Sequence, residues 1–120
     1  MDENTWSRIL ETRSADGRAM IFPYTAAVSA AIATVVFGDL GDGRMQLALS
    51  AFIVLGSLWV VLWWDGIFRD MMALQKSMPE GIAKTPYGAN HAKAPIAAFR
   101  VVNLVVVALI GVALIRAIYS

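Results

Sequence analysis

The sequence predicts an all-α integral membrane protein with three transmembrane helices. Three observations predict it. Residues 45–64, MQLALSAFIVLGSLWVVLWW, form a run of twenty without a single charge. A helix rises 1.5 Å per residue, so about twenty apolar residues cross a hydrocarbon core of about 30 Å. Two further apolar runs flank this one, at 19–38 and 95–118. Composition agrees, with 58% hydrophobic and only 16% charged residues, where soluble domains carry about a quarter charged. The expected organisation is an N-terminal interfacial segment, 1–18, and one transmembrane domain, 19–120. Within that domain the second helix extends into the cytosol as far as residue 77, and 78–94 form a cytoplasmic loop.

In the first segment Trp6, Ile9 and Leu10 recur at helical spacing and share one face. Asp2 and Glu3 suit the positive end of a short interfacial helix, which Asn4 or Thr5 would cap. Ser14-Ala15-Asp16-Gly17 reads as a turn after it. The acidic opening is unlike a signal peptide, so the first apolar run is expected to be retained.

The first span places Pro23 in its opening turn, where a missing N–H costs little. Its middle is unusually small. Ala26, Ala30 and Thr34 lie four apart, as do Ala27 and Ala31, a pattern that lets another backbone approach closely. This span is therefore expected to be covered by other helices. In the connection GDLGDGR, Gly38 is expected to close the helix in the left-handed conformation, and Asp42-Gly43 to turn the chain.

Nothing breaks the second helix before Met78-Pro79. Beyond Trp64, Ile67, Phe68, Met71, Met72 and Gln75 form an apolar face that needs cover. Asp65 and Arg69 are spaced as an ion pair, and Gly66 is the expected point of flexure. Thr85-Pro86-Tyr87-Gly88 in the polar loop fits a reverse turn. In the third span Asn103 is the one polar residue of a long apolar stretch, expected to hydrogen-bond another helix. Arg100 and Arg116 sit toward opposite ends, where their stems can snorkel to the headgroups.

Of the ten Lys and Arg residues, eight fall on the side of the N-terminus and the long loop. Only Arg44 and Arg116 fall on the other. Short loops rich in Lys and Arg stay inside. The N-terminus is thus expected in the cytoplasm and the C-terminus across a cell (inner) membrane. A net charge of +1 gives no basic stripe for nucleic acid.

The chain is not expected to be an enzyme. It has no cysteine, one histidine (His91, expected to be solvated) and no nucleophile–base set. No metal site is expected. The one ligand-like feature is the ridge Phe52, Gly56, Trp59 and Trp63 with Trp64 beside it. It would shelve a flat hydrophobic ligand such as a quinone, carotenoid or chlorin, or a lipid, at a subunit interface, with indole N–H groups as donors.

These readings point to a non-catalytic accessory or structural subunit of a larger membrane complex, with other membrane subunits and lipids as partners and electron transport as the setting. A first alternative is a membrane anchor contributing to a quinone site of an oxidoreductase. The three-span layout with a long cytoplasmic loop is similar in size and order to the small anchor subunits of fumarate reductases. A second alternative is a homo-oligomeric, holin-like pore, although no span carries a continuous polar stripe.

Overall fold

Pro23 decides where the first long helix breaks. Its ring clashes with the carbonyl four residues back and supplies no N–H to it, so Ala19 cannot continue a regular ladder. In the computed structural model, which describes residues 1–120, α1 (Glu3–Ala19) ends there and α2 (Ile21–Phe37) follows. Met20 between them turns its N–H back to the Arg18 carbonyl. The other elements are α3 (Gly43–Lys76), two short helices α4 (Glu80–Ala83) and α5 (Pro86–Lys93), and α6 (Ile96–Ile118).

The fold is thus all-helical, with three helices long and apolar enough to cross a membrane: the α1–α2 rod, α3 and α6. The molecule measures 61 × 21 × 19 Å, and α3 is its axis. Ile53, Val60, Ile67 and Leu74 are the buried residues of α3 and recur every seventh position. Val107, Gly111, Leu114 and Ile118 on α6 alternate steps of four and three. These are the repeats of a coiled-coil seam. The two helices run antiparallel: Arg100 meets Asp65 near one end and Tyr119 meets Ser50 near the other. Between these points a Cβ on Gly111 would lie 3.3 Å from the Ser57 hydroxyl.

Beyond the membrane-length part, α1 packs on the extension of α3. Trp6, Leu10 and Leu74 form the centre of this head, with Ile9, Met71, Met78 and Ile82 around them. The Trp6 indole donates to the Leu74 carbonyl at 2.8 Å. Arg13 pairs with Asp70 at 2.8 Å and with Asp16 at 2.7 Å. Of the face expected on the α3 extension, Met71 packs on the Trp6/Ile9/Leu10 face, while Ile67 meets Gly17, Phe68 meets Phe99 of α6 and Gln75 bonds the carbonyls of His91 and Ala94.

Several local expectations are corrected. Residues 14–17 are helical, because Gly17 packs on Ile67 and Arg13 ties Asp16 and Asp70; tertiary contact overrides weak helix propensity. Asp2, rather than Asn4 or Thr5, caps α1, accepting from the Thr5 N–H at 2.7 Å. Gly38 is extended, at φ −84° and ψ 162°, not left-handed. Asp42 does not form a turn with Gly43 but caps α3 through the Arg44 N–H. The 78–94 loop contains two helices. Its predicted reverse turn is a helix start instead, with Thr85 Oγ1 accepting from the Gly88 N–H at 3.0 Å and Pro86 in the first turn. Helix α3 continues unbroken through Gly66.

Candidate functional site

Two anchors hold α2 against the rest of the bundle. At its root the helix break leaves carbonyls short of backbone donors. Trp63 and Trp64 supply them: their indoles donate to the carbonyls of Asp16 at 3.1 Å and Gly17 at 3.0 Å. Toward its far end Ala31 is buried with Ile53, Leu114 and Ile118. Between the anchors α2 stands away from α3 and leaves an apolar cleft of about 320 Å³.

This cleft gathers residues singled out by the sequence for two different reasons. Phe52, Gly56 and Trp59 of the aromatic ridge line it, and so do Ala27 and Ala31 of one small-residue row. No atom lies within 4 Å of the Cβ position of Gly56, so a ring has space there. Trp63 and Trp64 are diverted elsewhere, their N–H groups committed to the α1–α2 break. The other row, Ala26, Ala30 and Thr34, faces outward and is exposed, as nothing in the chain reaches that side of α2. Thr34 turns its hydroxyl to the Ala30 carbonyl at 2.8 Å.

Arg100 does not snorkel freely. It grips Asp65 with two hydrogen bonds of 2.7 and 3.2 Å, joining α6 to α3. The expected Asp65–Arg69 pair is present but longer, at 3.5 Å. The bidentate partner is the planar fork that fits a carboxylate.

Asn103 makes no bond from its amide nitrogen, although that atom is buried. The expected interhelical hydrogen bond is not made. It lines a second groove of about 460 Å³ with Tyr24, Trp64, Phe68 and Phe99. The Tyr24 hydroxyl is likewise buried without a partner. Sequence reasoning missed Tyr24 as a polar group, since a tyrosine near a span end reads as an interface marker.

His91 is not a solvated loop residue. Its ring packs edge-on against Trp6, centroids 5.6 Å apart, and stacks on Tyr87 at 6.4 Å. Burial pushes its pKa below the ordinary 6.5, since an apolar pocket disfavours the imidazolium. Gln75 fixes the same helix by donating to the carbonyls of His91 and Ala94 at 2.8 and 2.9 Å. The chain holds no cluster of three or more His, Cys, Asp or Glu side chains arranged for a metal.

Comparison with known proteins gives no relative: no family model matches the chain, and neither does any curated protein or solved structure.

Proposed function

We propose that the chain is a non-catalytic accessory subunit of a larger membrane complex, of the respiratory or photosynthetic electron-transfer kind, which it stabilises by helix contacts and by holding lipid or pigment between subunits. One observation carries the reading: α2 offers its Ala26/Ala30/Thr34 row outward while the rest of the chain leaves that row bare. An alanine-rich span inserts only weakly by its own hydrophobicity, and its small residues let another helix come close. The cell (inner) membrane, with the N-terminus in the cytoplasm, is the setting that the Lys and Arg distribution favours.

The absence of cysteine makes the test clean. Ala30→Cys in native membranes, labelled with a benzophenone maleimide that inserts into neighbouring C–H bonds on irradiation, should give one defined heterologous product that copurifies in mild detergent. A monodisperse free chain with no such product overturns the reading. A ladder of identical chains supports the pore instead. The cleft itself favours a second reading, the quinone-site anchor, because Phe52, Gly56 and Trp59 wall a space of cofactor scale beside α2. Copurifying quinone lost on Trp59→Ala, together with a soluble oxidoreductase partner, would favour it.

A further inference from the structure

Asp65 follows directly on the uncharged 45–64 run, at the depth where a span of that length meets the lipid head groups. Two guanidinium groups converge on its single carboxylate. Arg100 of α6 donates through Nε at 2.7 Å and Nη2 at 3.2 Å, and Arg69 of α3 stands 3.5 Å from the same Oδ2. The next carboxylate along α3, Asp70, is taken by Arg13 at 2.8 Å. The cluster of Asp65, Arg69 and Arg100 therefore carries an uncompensated positive charge. Each guanidinium is a fork of N–H donors, and beyond Asp65 neither fork meets an acceptor. The Arg69 and Arg100 side chains are 65% and 36% exposed, so the spare donors are open to a ligand.

Beside this cluster lies a groove of about 380 Å³ between α3 and α6. Asp65 and Arg100 form its polar rim, and Val61, Ala97, Val101 and Leu104 its apolar floor. Val61 and Leu104 lie one turn to the membrane side of the ion pair, because α3 and α6 run antiparallel. The α2 cleft and the Tyr24 groove have no charged residue in their linings.

We infer that this groove seats one anionic phospholipid, its phosphodiester on the spare N–H groups of Arg69 and Arg100 and an acyl chain along Val61, Val101 and Leu104. Planar guanidinium forks fit phosphate oxygens in pairs, and basic pockets between spans take anionic head groups. The excess positive charge selects an anionic lipid over phosphatidylcholine, whose own ammonium offsets its phosphate. The apolar floor selects a lipid over free phosphate, which has no tail to bury there. The inference rests on the three-span topology and goes beyond the accessory-subunit reading, since every group it uses belongs to one chain.

The test titrates the full chain in dodecyl maltoside micelles with dioleoylphosphatidylglycerol, with dioleoylphosphatidylcholine and inorganic phosphate as controls. Native mass spectrometry counts bound lipid, and the unfolding midpoint is followed in parallel. The expected result is saturable binding of one phosphatidylglycerol per chain with a raised midpoint, weaker binding of phosphatidylcholine, and no response to phosphate. Arg69→Gln should weaken binding by about tenfold, the loss of one charged hydrogen bond. Ala97→Phe, which fills the floor at an exposed position and leaves the charges alone, should also weaken it. Asp65→Asn should bind more tightly while the empty protein is less stable, an opposite pair of signs that a merely structural ion pair would not give. Arg18 on α1 lies beside Gly17, which packs on Ile67, and so stands at a similar depth; Arg18→Gln should leave binding unchanged. Equal losses in Arg69→Gln and Arg18→Gln overturn the inference, since they assign the effect to diffuse surface charge. So do equal binding of phosphatidylcholine, a matching response to phosphate, or unchanged binding in both Arg69→Gln and Ala97→Phe.

Discussion

Trp6 is only 1% exposed, and its indole carries both packing and the one hydrogen bond to Leu74. Trp6→Phe keeps most of the ring volume and strands a buried carbonyl. It should cost about 1–3 kcal/mol, read as a lower unfolding midpoint and faster proteolysis within α1. His91 gives the head a pH response whose sign follows from its lowered pKa. As the pH falls, the unfolded chain takes up the proton first, so stability is complete above 6.5, declines below it, and levels off beneath the folded value. Unfolding midpoints at pH 7.5 and 5.5 should differ in the native chain and converge in His91→Gln. Trp6 was legible in the sequence because its neighbours on the helix face are Ile9 and Leu10. The roles of Arg100 and His91 were not, because their partners, Asp65 and Trp6, lie 35 and 85 positions away. Spacing arguments reach only along one helix.

At the scale of elements, two close approaches hold the arrangement. Gly111 sits where α6 meets α3, and a larger side chain there would meet Ser57 and Ile53. Gly111→Leu should destabilise by about 1–3 kcal/mol through overpacking, seen as a lower midpoint in thermal melts. The α1–α2 break depends on two indoles. Trp63→Phe and Trp64→Phe should each cost about 1 kcal/mol, and the double variant should show faster hydrogen exchange at Met20 and its neighbours. The three spans were plain from length and charge alone. The seams were also present, in Ile53, Val60, Ile67 and Leu74, but a run rich in Val, Leu and Trp on every side hides which stripe faces inward. Turn signals at Ser14-Ala15-Asp16-Gly17 and at Thr85-Pro86-Tyr87-Gly88 misled for a shared reason. Ser, Asp, Thr, Pro and Gly mark helix starts and close contacts as readily as turns, and only tertiary packing decides.

For the whole molecule, α1, the far part of α3, α4 and α5 form one head at one end of a long rod. Cysteine probes at Thr12 and Ala83 should therefore react from the same face of sealed vesicles, and one at Ser120 from the other. Reaction of all three from a single face would remove the three-span topology. Of the cleft, the sequence displayed the ridge and the small row separately, but not that α2 would bring them face to face. The indole anchors beside Met20 and the buried contact at Ala31 pin α2 at its start and past its middle, about 16 Å apart at 1.5 Å per residue. A rod fixed at two points stands like the deck of a bridge over the gap beneath it. The opening then exists before anything occupies it, and a greasy guest can slide in or out sideways without the supports being taken down.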